Sequence, residues 1–454
     1  MDMHPQQPHE APLDPDPPVD AEPLPQAFGA RVLMWKQDPS VDELGTRTAY
    51  LPGTVLAGPR DGRIASGAPG IDQVEPNASG DFVTLPDTPQ FDAVHTFAVV
   101  RQTLTMYQRV LAAAGVAMPL SWQWNSSSDT NPLQLFPHGL PDVVNAFYSR
   151  NQGCLKFGDF IPAGSPERLF TCRSLDIVSH ETAHAILDGI KPRWLQADAP
   201  PQTGGLHESF GDLTAVFLAL SQFDQCEAIV AQTKANLHDK SFLADVAEQF
   251  GLALGYRNGL RNADNDLRLS QAGTQVHAIS QVFTGAVYDV LADVFAHERN
   301  PEREDDAAVL HRVAAYLGGV LLRALVGAPD AAATFADVVN GMLLAVTGDG
   351  KPPAYAGFIR NQFSRREVVQ TGASPADATE DVYLLGAPLA ACVCDAPGAR
   401  QNRQACCGTM QLPEYDHAAS LVARSHTESG HVSPVDASLS TSMAALAADA
   451  SLRA

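Results

Sequence analysis

Apolar residues recur every three to four positions through most of the second half of this 454-residue chain, and in short bursts between Gly, Pro and Asp clusters in the first. The helical period predicts an amphipathic helix over Asp92 to Ala114, closed by Gly115, and another over Leu175 to Ile190. Further helices are expected over 213–222, 240–254, 275–297, 305–325 and 331–346. The bursts Arg31–Trp35, Ala49–Leu51 and Phe82–Leu85 predict strands and turns. Val143–Tyr148 and Leu155–Phe160 predict two more strands around the turn Arg150-Asn151-Gln152-Gly153. The chain therefore reads as α+β: a strand-rich N-terminal lobe over 28–173, then an all-helical C-terminal lobe over 174–372, with the Leu175–Ile190 helix at the join.

The ends read differently. Residues 1–27 are Pro-rich and acidic without aromatics, and predict a disordered arm. Residues 373–454 form a cysteine-containing extension with Cys392, Cys394, Cys406 and Cys407, followed from His426 by a Ser/Ala/His-rich tail expected to be flexible. These cysteines lack the C-x2-C spacing of a metal knuckle, so a second metal, a disulfide and free thiols all stay open.

Charge narrows the function. Fifty-two acidic residues against thirty basic ones give a formal charge of −22, which argues against nucleic acid and anionic membrane surfaces as partners. The longest apolar candidate, Val313 to Ala328, is interrupted by Arg323, so no spanning segment is expected and the protein should be soluble. The first residues carry neither a basic n-region nor an apolar stretch, which leaves cytoplasm and leaderless export as expectations. Seven cysteines, an odd number, do not make a fully paired disulfide framework.

The chemistry concentrates in Ser179-His180-Glu181-Thr182-Ala183-His184. On a helix, His180 and His184 stand one turn apart on one face, so two imidazoles can converge on a cation. A catalytic zinc site needs a third ligand and an open position, and Glu208, at the start of the apolar-periodic run Leu213, Val216, Phe217 and Leu220, is the candidate. Glu181 would act as general base, and Asp212 could accept the remaining ring proton of a ligand histidine. A bare HExxH also arises by chance on solvated helix faces; the E-x-x-x-D downstream makes coincidence less credible. His95, on the first long helix, reads as a structural histidine.

With those residues in place, the segment from about residue 90 to 370 resembles the thermolysin-like zinc metallopeptidases. The resemblance rests on ordered motifs. Asn145-Ala146-Phe147-Tyr148 matches the family's substrate-binding edge strand, Asp176 the aspartate ahead of HExxH, and Glu208 with Asp212 the distal ligand and its companion. Leu260-Arg261 resembles the segment whose arginine binds a substrate carbonyl and whose leucine lines the pocket after the scissile bond. Val276-His277 resembles the segment whose histidine stabilises the oxyanion. The resemblance implies a zinc metalloendopeptidase, acting on peptides or proteins, with zinc on His180, His184 and Glu208. Glu181 and His277 would be catalytic, and Asn145, Ala146, Arg261, Ile177 and Leu260 would bind substrate, with a bulky apolar residue preferred after the cut.

Three departures set further expectations. No acid stands in Ala272 to Val276 to accompany His277, so Asp264 or Asp266 would have to serve. No tyrosine marks a second oxyanion donor, a role the Trp194 indole N–H could take. Calcium stays open, since Asp176 and Glu227 fit the family's paired site whereas Ala219 stands where an acid is expected. A zinc aminopeptidase and an inactive or latent thermolysin-like binding scaffold are the rival readings; no G-x-M-E-N-like segment supports the former.

Overall fold

The computed structural model describes residues 29–66, 70–162, 164–196, 199–256, 259–369 and 409–410. The expected arm over 1–27, the four cysteines Cys392, Cys394, Cys406 and Cys407, and the tail from His426 lie outside the described residues.

The fold is α+β. A six-stranded mixed sheet runs in the order Thr409–Met410, Ala146–Ser149, Cys154–Phe160, Leu133–Leu140, Ile64–Ser66, and Leu169–Phe170 pairs with the end of Cys154–Phe160. Ala146–Ser149 and Cys154–Phe160 are antiparallel, with Ala146 opposite Phe157 and Ser149 opposite Cys154. Alternate residues Ala146 and Tyr148 are buried, as the two-residue period of a strand requires. A separate hairpin pairs Ala30–Trp35 with Thr46–Leu51. The helix Pro89–Ala113 packs against both the hairpin and the motif helix Leu175–Ile190.

The motif helix is set by local chemistry. Ser174 caps it by accepting from Ile177 N–H at 3.3 Å, and Asp176 lies in the first turn, where the helix dipole favours an acid. Against it packs Pro201–Leu220, which in turn packs against Val276–Glu298. Asp306–Gly327, Phe335–Gly348 and Pro353–Arg365 follow.

Several sequence expectations change. The helix expected over 213–222 starts at Pro201, so Glu208 and Asp212 lie in its interior rather than at its opening. The segment 240–254 is helical only over Glu248–Ala253. Upstream, Asp245–Val246 pairs with Arg261–Asn262, and Ala247 takes a left-handed φ of 54°, which ends any continuous helix. Phe82–Leu85 is not a strand: Phe82 makes a single bridge to Val32, while Val83 and Leu85 are exposed ahead of Pro86. The strand expected over Val143–Tyr148 is Ala146–Ser149, and the helix expected over 331–346 starts at Phe335, after a Thr334/Asp337 capping box.

Val276–Glu298 and Asp306–Gly327 are each long and apolar enough to cross a membrane by length and composition, contrary to the expectation of no such segment. Their apolar character has a local use, since 83% and 67% of the respective windows are buried inside the protein.

Candidate metal centre

His180 and His184 both lie fully buried on the motif helix, and the ligand atoms of His180, Glu181 and His184 fall within 4.8 Å of one another. Glu208 reaches the same place from the neighbouring helix. Its Oε2 is 3.6 Å from His180 Nε2 and its Oε1 is 3.7 Å from His184 Nε2. Those four atoms are buried and have no hydrogen-bond partner among the described residues. Buried polar groups are nearly always satisfied, so this donor set fits a cation better than an empty core.

The close packing that permits this comes from glycine. A Cβ at Gly211 would stand 2.5 Å from the His180 ring, and one at Gly204 would stand 2.7 Å from Val276 Cγ1. Glycine at these points lets Pro201–Leu220 lie against both neighbours. Glu208 then reaches the histidines and Val276 is held at the start of its helix.

The two motif histidines are oriented differently. His180 Nδ1 lies 3.0 Å from Asp212 Oδ1, as expected for a carboxylate fixing a ligand tautomer. Asp212 is also held by Arg261, whose Nη2 reaches Oδ1 at 2.6 Å and whose Nε reaches Oδ2 at 2.9 Å. His184 Nδ1 instead meets His207 Nδ1 at 2.7 Å. His207 has no role in the sequence reading, although it stands directly before Glu208; only the turn of its helix reveals it. Were His184 to face a metal through Nε2, its hydrogen would be on Nδ1 and donated to His207.

Burial opposes the charged form of His180, but Asp212 and Glu208 outweigh it and raise the ring to about 9. For His207, burial dominates and lowers it to about 3, which suits a neutral acceptor. Burial also works to raise Glu208, yet the surrounding His277, His184 and His180 hold it well below the ordinary carboxylate range.

Glu181 is fully buried, and its Oε2 accepts from Tyr148 N–H at 2.9 Å. The Tyr148 hydroxyl donates to Asp188 at 2.8 Å, and Arg150 also binds Asp188. The strand is thereby tied to the motif helix at two points seven residues apart. Asn145 is half-buried, its Oδ1 accepting from Ala146 N–H at 2.9 Å. The edge that Ala146 was expected to offer is paired with the chain itself: Met410 stands opposite Ala146 and Thr409 opposite Phe147.

His277 Nε2 lies 3.3 Å from Glu208 Oε2, which brings it to the same cluster. Of the two acids expected to accompany it, Asp264 is engaged elsewhere. Asp264 pairs with His238 at 2.9 Å, and His277 Nδ1 instead meets the Gln275 side-chain amide at 2.9 Å. Trp194 does not serve as an oxyanion donor, because it is fully buried and its indole N–H donates to Pro329 O at 3.0 Å. Two of Arg261's nitrogens are committed to Asp212, so a substrate carbonyl would have Nη1 rather than the whole fork. Ile177 is fully buried in the core, and Leu260 is half-buried against it. His95 is fully buried beside Phe91, where burial lowers it to about 4.

Of the expected calcium acids, Asp176 is buried with Oδ2 accepting from Ala247 N–H at 3.0 Å, and Glu227 is exposed on the helix Phe223–Thr233. The best-formed surface cavity, lined by Tyr50, Met106, Phe217, His311 and Gly318 among others, contains none of the site residues. The chemistry is placed at the buried histidine–carboxylate cluster because donor atoms converge there, whereas the cavity walls are mainly apolar. No protein-family model matches the chain, and no curated protein matches it in sequence.

Proposed function

We propose that the chain is a zinc-dependent metalloendopeptidase of thermolysin-like type, built as two lobes meeting at the Leu175–Ile190 helix. The observation that carries this reading is the set of buried, unpartnered atoms on His180, His184 and Glu208. Left empty, each would cost about 1–3 kcal/mol, and two imidazoles with one carboxylate are a zinc donor set.

Zinc bound there would supply Lewis acidity and lower the pKa of a coordinated water. Glu181, anchored through Oε2 by the Tyr148 amide, takes the proton as the water attacks a peptide carbonyl, and returns it to the leaving amine. His277 donates from Nε2 to the carbonyl oxygen as charge develops on it. Asn145 and Ala146 align the peptide as an added antiparallel strand, with Arg261 Nη1 on a carbonyl beyond the cut. Ile177 and Leu260 would form the apolar wall for a bulky residue after the scissile bond.

The test is hydrolysis of an internally quenched peptide with leucine after the scissile position, by wild type and Glu181→Gln, with bound zinc quantified in both. Zinc in both and cleavage by wild type alone supports the reading; equal cleavage by both would sink it. A latent form is the second reading, favoured by the full burial of Glu181 and by the pairing of Thr409–Met410 on the substrate edge. Zinc in both proteins and cleavage by neither would be its signature.

A further inference from the structure

The helix Val276–Glu298 opens with a cap that also touches the site. Gln275 Oε1 accepts from Ala278 N–H at 2.6 Å, which fixes which end of the amide faces which neighbour. Its nitrogen is thereby turned to His277 Nδ1, 2.9 Å away. An amide nitrogen has hydrogens and no lone pair to offer, so Nδ1 must accept. In the neutral ring the hydrogen then resides on Nε2, the nitrogen 3.3 Å from Glu208 Oε2.

We propose that Gln275 is a positioning residue for hydrolysis: by donating to Nδ1 it holds His277 as the Nε2–H tautomer and presents that N–H to the developing oxyanion. This rests on the metallopeptidase reading. A carboxylate beside Nδ1 would act in the opposite sense, accepting from an Nδ1–H and leaving Nε2 of the neutral ring as an acceptor. The cap and the tautomer are thus set by one side chain, and the two roles can be separated. Serine also caps helices well, but its hydroxyl sits on Cβ, two bonds short of the glutamine amide nitrogen, and while bonded to the backbone it does not extend to Nδ1.

The experiment uses the full-length, zinc-loaded chain with ring-labelled histidine. His277 resonances are identified by comparison with His277→Asn, and the nitrogen shifts read which ring nitrogen carries the hydrogen. Wild type should show the Nε2–H form, and Gln275→Ser should lose that preference while keeping its thermal stability. In peptide hydrolysis, Gln275→Ser should lower kcat by about tenfold or more with KM changed less than about twofold, because an oxyanion donor acts in the transition state. Gln275→Asn, whose shorter amide can still cap, should remain nearer to serine than to wild type in tautomer.

An Nδ1–H ring in wild type, or an unchanged tautomer in Gln275→Ser, would overturn the proposal. Wild-type kcat in Gln275→Ser would also overturn it, leaving Gln275 a cap only. Absence of hydrolysis by wild type would instead count against the peptidase reading and remove the catalytic half of the proposal. The nitrogen shifts would still decide the tautomer half.

Discussion

Gly211 touches His180 so closely that a methyl group added at residue 211 would stand 2.5 Å from Cε1 and Nδ1 of the ring. Alanine is worth about 1 kcal/mol more than glycine inside a helix, but forcing a group into a packed interface costs about 1–3 kcal/mol. The clash should win, and it falls on a ring that would point at the proposed zinc. Gly211→Ala is expected to lower zinc affinity about 10- to 100-fold, the usual range for disturbing a ligand's support. Competition against a chromophoric chelator measures this, and unchanged affinity would mean that the helices separate without moving His180.

His207 makes a second, independent prediction. Its Nδ1 is 2.7 Å from His184 Nδ1, and among the described residues no carboxylate bonds to that nitrogen. His207→Leu removes the acceptor and should weaken zinc binding about 10- to 100-fold, whereas His207→Asn, whose side-chain oxygen can accept, should retain most of it. Equal loss in both variants would indicate a packing role for His207 rather than orientation of His184.

The distribution of what was legible follows from the range of each interaction. The His180/His184 spacing is local to one helix, and Glu208 and Asp212 are marked by residue type, so the cluster could be read without a fold. The helical start at Pro201 could not. Gly204, Gly205 and Gly211 look like helix breakers until the neighbours they admit, among them Val276 and His180, are in place. The segment 240–254 shows helical spacing, but pairing with Arg261–Asn262 and the left-handed Ala247 override it. Arg261 itself was read toward substrate because sequence does not show that Asp212 takes two of its nitrogens. Gln275 carried no signal at all: a glutamine before a helix is unremarkable until its amide is seen against His277.

The edge strand gives a third prediction. An antiparallel substrate would need the backbone of Ala146 and Phe147, which Met410 and Thr409 already face. Proline at these two positions removes backbone donors and disfavours the pairing. A Thr409→Pro/Met410→Pro variant should therefore cleave the quenched peptide faster than wild type, mainly through a lower KM. An unchanged KM would mean that this pairing does not compete with substrate.

The last prediction concerns acids rather than histidines. Asp38 and Asp176 are both buried, with Ser174 donating to Asp38 at 2.7 Å and Ala247 N–H donating to Asp176 at 3.0 Å. Burial pushes Asp38 up to about 6 despite those bonds, and raises Asp176 well above the carboxylate range, with Asp38 adding repulsion. Burial, with Asp245 and Asp38 nearby, also raises Glu248 to about 7. A raised carboxyl binds its proton more tightly in the folded chain than in the unfolded one. Its stabilisation is therefore complete below the unfolded value near 4, and is lost as pH rises through about 6 to 7. Asp176→Asn removes one charge from the cluster, so its Tm relative to wild type should be higher at pH 8 than at pH 5. Thermal unfolding of both proteins across that range, with and without calcium, makes the check. A calcium-dependent rise in wild-type Tm that Asp176→Asn lacks would show that a cation, rather than protons, neutralises these acids. A constant Tm difference across pH would remove Asp176 from the titrating set.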